Sequence, residues 1–208
     1  MSAGHPTVMI TRSARDGERI SLSYALAAAF LETPLARWLI PDRDARRARL
    51  PRYAEIWIDH GLAHGVVEVA ETAEGALAGL AIWQPEPGPE PKRYQQRLAE
   101  AVGHEHLPRF DSLDTALRLG RPRQPHLYLA CCAVPPAYQS QGYGAALIRR
   151  RHTDIDGSKT PAHLVAASAE ARRFFLRYGY GDHGDPIALP EGPRLFPMTR
   201  HPAAELPA

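Results

Sequence analysis

The 208 residues predict an α/β fold, a central mixed sheet of about seven strands flanked by helices. Three observations lead there: short β-branched or continuously apolar runs alternate with segments of helical spacing, one hairpin is plain, and a buried strand passes directly into a glycine-started helix. Length allows one domain with a full core, taken here as residues 1 to 208. An apolar fraction of 44% and a charged fraction of 23% lie near globular averages.

TVMITR (7 to 12) reads as a first strand, and residues 16 to 31 as a helix with Ile20, Leu22, Leu26 and Phe30 at helical spacing, closed by Pro34. The stretch from Pro41 to Gly65 is a second helix, which Pro51 should kink or split and Gly61 with Gly65 should end. VVEVAE (66 to 71) and ALAGLAIWQ (76 to 84) form the hairpin around TAEG. Four prolines in PEPGPEPK (85 to 92) mark a loop. Weakly patterned helical segments near 93 to 102 and 111 to 119 follow, so 85 to 125 reads as a helical insertion and a place for a substrate-facing lid. HLYLACCAV (126 to 134) is a strand stopped by two prolines. A helix then runs from the glycines to near Gly157, followed by strand 162 to 168, helix 169 to 179, and two last strands around YGDHGDPIAL and PRLFPMTR.

Several function classes drop out. The longest apolar runs, YALAAAFL and LYLACCAV, are far short of a bilayer span, and the N-terminus has no apolar core behind a basic start, so no membrane association and a cytoplasmic location are expected. A formal charge of +2 does not point to nucleic acid. No metal site is expected: His60 and His64 are four apart, but Gly61 stands where a zinc-protease pattern needs glutamate. His104 to His106, the Arg43 to Arg49 cluster and Arg149 to Arg151 read as solvated surface, with one arginine near the glycine turn available for a phosphate. Cys131 and Cys132 are adjacent and face opposite sides of a strand, as small core residues.

AVPPAYQSQGYGAAL (133 to 147) carries the chemistry. Glycines let backbone approach a ligand, and a helix N-terminus offers free N–H groups and a favourable field for an anion. A dinucleotide fingerprint fails because Leu147 holds the third glycine position, and a Walker loop fails because the chain has no Gly-Lys pair. Gln139, Gly142 and Gly144 meet the Gln/Arg-x-x-Gly-x-Gly/Ala loop of the GNAT N-acetyltransferases, and ARRFFLRYGY resembles the second motif of that superfamily. With AAAF in the first helix and the closing LPEGPRLFPMTRHP, the chain is similar to the puromycin N-acetyltransferase branch.

The resemblance implies a partly splayed sheet in which strands 126 to 134 and 162 to 168 part and admit the pantetheine arm of acetyl-CoA, with a small-molecule amine as the other substrate. It implies cofactor contacts from Cys132, Ala133, Val134, Gln139, Ser140, Gln141, Gly142, Tyr143, Gly144, Ala145, Ser168 and Phe175, with main-chain donors from Gln141 to Ala145. The Val134 N–H becomes the oxyanion donor. Phe175 stands where many relatives carry the tyrosine that protonates the thiolate, and Tyr178 lies one turn on. Relatives often place a glutamate near Tyr128; strict alternation would set His126, Tyr128, Ala130, Cys132 and Val134 on one face, with His126 the better base by its ordinary pKa and Tyr128 a core aromatic on the plainer reading. The rival expectation is a binding module that keeps the cofactor pocket without efficient transfer.

Overall fold

In the computed structural model, which describes residues 9–202, the chain opens with strand β1 (Ile10–Ser13) and helix α1 (Arg19–Phe30). The expected strand 7 to 12 therefore begins outside the described residues, and its described part is displaced towards Ser13. Pro34 does not simply close the first helix. It takes the first position of α2 (Pro34–Leu39), where a missing N–H costs no hydrogen bond, while the Thr33 hydroxyl accepts from the Ala36 N–H at 3.2 Å. Asp42 caps α3 (Arg43–His64) in the same way, accepting from the Ala45 N–H at 2.7 Å.

Helix α3 runs through Pro51 unbroken, against the expected split. Pro51 is buried between turns that also bury Leu50, Ala54 and Ile58; Leu50 and Ile58 contribute about 1.5–3 kcal/mol each, which offsets the ~3 kcal/mol cost of proline. Gly61 lies inside the helix instead of ending it, because a Cβ there would stand 2.7 Å from Ile82 Cγ2. Arg46, expected at the surface, is 3% exposed and donates to the carbonyls of Leu31, Ile40 and Pro41, closing the ends of the first two helices.

The hairpin forms as β2 (Val66–Glu71) and β3 (Leu77–Glu86). β3 continues through part of the expected loop, with Pro85 opposite Leu127. Helices α4 (Tyr94–Val102) and α5 (Leu107–Leu119) follow. Expected to be weakly patterned, they bury Leu98, Val102 and Phe110 completely, in one cluster with Leu39, Ile40 and Ile56. The segment is part of the core.

The rest is β4 (His126–Ala133), α6 (Tyr143–Ser158), β5 (Ala162–Ala166), α7 (Ala169–Leu176), β6 (Gly181–Asp182), β7 (Ile187–Ala188) and β8 (Arg194–Arg200). Among the described residues the sheet has eight strands in the order β1-β2-β3-β4-β5-β8-β6, with β7 paired to β8. The count exceeds the expected seven because 180 to 189 divides into β6 and β7. Only the β4–β5 pair is parallel, with α6 as its crossover. Helices α1 and α3 cover one face, Leu22, Leu26 and Ile58 packing with Val67, Val69 and Ile82. Helix α6 covers the other, with Leu147, Ile148 and Ile155 packing with Trp83, Leu129 and Leu164. No helix among the described residues is long and apolar enough to cross a membrane.

One feature of the sheet positions the site. β4 and β5 pair only from Leu127 and Ala162 to Leu129 and Leu164, although β4 goes on to Ala133 and β5 to Ala166. The two strands part there, and their facing edges are unpaired.

Candidate active site at the strand gap

β4 enters the gap with one residue in excess. Leu129 stands opposite Trp83 and Cys131 opposite Ile82, so Ala130 forms a β-bulge. The Leu127 N–H donates to the Pro161 carbonyl at 2.8 Å, which aims the N–H groups of Leu127 and Leu129 at β5. Beyond the bulge the alternation restarts one residue late, and it is the N–H groups of Cys132 and Val134 that turn to the open edge. Side chains shift with the backbone: Ala130 and Cys131 pack with the α1 and α3 layer, Cys132 and Val134 with the α6 layer. The bulge thus corrects the expected common face of His126, Tyr128, Ala130, Cys132 and Val134. The two cysteines face opposite layers as expected. Burial pushes both thiols up, Cys132 to about 12, which leaves them un-ionised at neutral pH.

Past Ala133 the chain folds through a single 3₁₀ turn at Pro136–Tyr138. Gln139 Nε2 donates to the Val134 carbonyl at 3.0 Å and Gln141 Nε2 to the Ala137 carbonyl at 2.9 Å, so both glutamine side chains tie the loop back onto itself. Ser140 and Gly142 take left-handed backbone, φ 62° and 93°. Ala146 makes the first helical bond to the Gly142 carbonyl at 3.0 Å, and no side chain caps the helix. The N–H groups of Tyr143, Gly144 and Ala145 are first-turn donors with no intrahelical acceptor. None of the N–H groups from Gln141 to Ala145 donates in the turn, loop and cap bonds of the described residues. Tyr143 contributes main chain only, its ring being 1% exposed and set edge-on to Tyr138 at 6.0 Å. A Cβ on Gly144 would lie 3.6 Å from both Phe174 Cζ and Val134 Cγ2, so loop, strand edge and α7 meet there.

Behind the gap lies a cavity of about 230 Å³ between the sheet and helices α1, α2, α3 and α5. Leu129 to Cys132 and Leu164 to Ala167, the stretches where the strands part, form one side, and Leu26, Phe30, Leu39 and Leu113 the other. The polar groups on its wall include Tyr53, Trp57, Arg121 and Tyr128. Burial raises the Tyr128 phenol, even with the Arg121 guanidinium 4.7 Å above its ring; Arg121 itself is paired with Glu86 at 2.8 Å. Burial likewise raises Tyr53.

The predicted residues divide accordingly. Tyr128, Cys132 and Phe175 share the cavity wall, and Gln139 to Ala145 form the adjoining loop. Ser168 caps α7, accepting from the Ala171 N–H at 3.0 Å, and keeps its O–H as a donor. His126 is outside the cavity wall, buried at the start of β4 with Nδ1 2.8 Å from the Gln124 carbonyl and its ring 5.4 Å from His163. Tyr53, Trp57 and Arg121 escaped sequence reading. Their one signal is the i, i+4 spacing of Tyr53 and Trp57, which a core stripe shows equally. A wider cleft of about 590 Å³ continues beyond Trp57, Leu117 and Arg121, past Glu86, Tyr94 and Asp114.

The family model for the acetyltransferase (GNAT) domain matches residues 90–201, more than half of the chain. Among solved structures, a Corynebacterium glutamicum protein described as histone acetyltransferase HPA2 and related acetyltransferase is similar, with a TM-score of 0.74 at 24% identity over 94% of this chain and 97% of that one. Arylalkylamine N-acetyltransferase 2 from Aedes aegypti gives 0.66 at 12% identity, over 93% and 98%. An agmatine N-acetyltransferase gives 0.58 at 17% identity, over 93% and 99%. At these identities the likeness to solved structures is one of fold.

Proposed function

The chain belongs to the GNAT acetyltransferase domain family, and on that premise we propose that it is an N-acetyltransferase acting as one unit, which moves the acetyl group of acetyl-CoA onto the amine of a small molecule by direct attack on the thioester. The observation that carries this reading is the row of undonated N–H groups from Gln141 to Ala145, at a helix start, beside the open edge of β4. When bound, acetyl-CoA supplies an activated acyl carbon and a thiol leaving group. The loop N–H groups bind its diphosphate, with Gln139 and Ser140 shaping the loop. The edge from Cys132 to Val134 offers strand-like hydrogen bonds to the pantetheine arm, and the Val134 N–H, with that of Cys132 next to it, donates to the acyl oxygen as charge develops.

Proton handling follows from the cavity. Among the described residues its wall holds no carboxylate or imidazole. An apolar enclosure disfavours an ammonium ion, so the reacting amine enters neutral, having lost its proton to water. Tyr128, kept protonated by burial, serves as a hydrogen-bond donor in place of a base. The likeness of the glycine turn and the closing segment to the puromycin N-acetyltransferase branch favours an acceptor of antibiotic or metabolite size.

Acetyl-CoA incubated with a broad amine panel tests this, following thiol release and acetylated product together. One-to-one release is expected. Phe175, which has no hydroxyl to give the thiolate, favours the second reading of a cofactor-binding sensor module; tight acetyl-CoA binding with background hydrolysis alone would establish that reading and overturn the first.

A further inference from the structure

The cleft beyond the cavity holds a buried carboxylate with one oxygen left unsatisfied. Asp114 on α5 is 7% exposed, its Oδ2 has no hydrogen-bond partner, and no ion pair reaches it among the described residues. The Tyr94 hydroxyl and Trp57 Nε1 are buried nearby and fall short of full hydrogen-bond geometry, Tyr94 acting on the carboxylate and Trp57 on the Tyr53 hydroxyl. Burial raises the Asp114 carboxyl, opposed by the Tyr94 hydroxyl and by the fields of Arg118 and Arg121, and its charge in turn helps raise the phenols of Tyr53 and Tyr94. The rings assemble around it edge to face, Trp57 to Tyr94 at 5.8 Å and Tyr53 to Trp57 at 6.4 Å. The neighbouring cations, Arg118 and Arg121, reach Asp114 only through their field: Arg121 donates to Glu86 at 2.8 Å and Arg118 to the Thr115 hydroxyl at 3.3 Å. Buried polar groups in folded chains find partners, so a carboxylate oxygen left unsatisfied among aromatic side chains is a site shaped for a cation from outside.

Its place relative to the chemistry fixes what that cation is. The parted strands border the cavity, whereas Asp114 and Tyr94 border only the cleft; Trp57, Leu117 and Arg121 belong to both and form the neck between them. The nitrogen that is acetylated therefore cannot be the one that meets Asp114. Resting on the acetyltransferase reading, we propose that the acceptor is a diamine lying through this neck, with one neutral amino group in the cavity and a second, protonated one held by the Asp114 carboxylate against Trp57 and Tyr94. The cavity nitrogen forms the bond to the acyl carbon as the carbon–sulfur bond breaks, and its proton goes to the sulfur, giving a free thiol and a monoacetylated diamine. The distal group keeps its charge and is not acetylated.

The test uses the full chain with saturating acetyl-CoA and two series of probes: p-xylylenediamine and α,ω-diaminoalkanes of increasing length, each against the monoamine of the same carbon skeleton. At the length that bridges the neck, kcat/KM for the diamine exceeds that of its monoamine by roughly tenfold to a hundredfold, the range expected of a charge-assisted hydrogen bond. Asp114→Asn removes that preference through KM, and leaves the KM for acetyl-CoA and the monoamine rate as they were. Tyr94→Phe, which keeps the carboxylate, lowers the preference by about threefold. Equal use of diamine and monoamine at every length, or a preference that survives Asp114→Asn, overturns the inference. A calorimetric titration of the diamines into protein saturated with the CoA thiol reads the same contact without turnover. Asp114-dependent binding there with no acetylation of any amine keeps the inference and strikes down the transferase reading; transfer without Asp114 dependence does the reverse.

Discussion

Gly144 separates ligand binding from folding, and two substitutions there are expected to behave in opposite ways. A Cβ at this position meets Phe174 Cζ and Val134 Cγ2 at 3.6 Å, ordinary contact distance. Gly144→Ala therefore fits, gains up to ~1 kcal/mol of helix propensity, and raises Tm by about 2–4 °C. Gly144→Leu adds three more carbons to a space already filled at that distance, and they have to turn either against the strand edge at Val134 or across the N–H row of Gln141 to Ala145. Blocking two hydrogen bonds to a charged diphosphate, at about 1.5–3 kcal/mol each, weakens acetyl-CoA by at least ~3 kcal/mol, roughly a hundredfold in Kd. Calorimetric titration gives Kd and a thermal melt gives stability. Acetyl-CoA affinity unchanged in a folded Gly144→Leu protein would refute the phosphate-binding role of the loop.

Phe175→Tyr, at a buried wall position between Phe174 and Tyr180, is expected to raise kcat by about a hundredfold, the low end of the range for a positioned acid, with little change in KM; no gain in single-turnover rate argues against thiolate protonation as the limiting step. Burial also predicts acid sensitivity. His152 is pushed down to about 4 and His163 to about 3, below the ordinary 6.5, so the unfolded chain takes up protons that the folded chain refuses. Their stabilisation is complete above pH 6.5 and is lost as the pH falls through the window down to about 3. Near the middle of that window the two together give a slope of ~2.7 kcal/mol per pH unit. Urea midpoints measured across it should fall accordingly, and His163→Gln should halve the slope; an unaltered slope would contradict the assignment.

The glycine loop and the strand and helix beside it were legible because their signals are local. Two prolines stop β4, Gly142 holds a backbone that other residues resist, and the first turn of any helix leaves N–H groups free. What escaped the sequence depends on partners distant along the chain. Pro51 carries a local cost, but the burial of Leu50, Ala54 and Ile58 against the sheet decides the helix. α4 and α5 give a faint signal in the sequence, yet α4 is amphipathic, burying Leu98, Ala101 and Val102 on one side, and Phe110 of α5 is wholly buried; which surface those sides meet is set by α2 and α3. Asp114 reads in sequence as an ordinary polar residue on an amphipathic helix; only the arrival of Tyr53 and Trp57 from α3 and of Tyr94 from α4 makes it a site. The bulge at Ala130 is set by the pairing with β3, which no inspection of 126 to 134 alone reveals.

That extra alanine gives β4 two parities. Odd and even positions exchange meaning midway along it, so the half that joins β5 and the half that leaves it obey opposite rules about which atoms look sideways and which look up. Without the slip, the main-chain donors at 132 and 134 would be committed to the hairpin side and the flank left bare by β5 would present a different pair. A single inserted residue, chemically inert, thus decides which peptide groups face the gap.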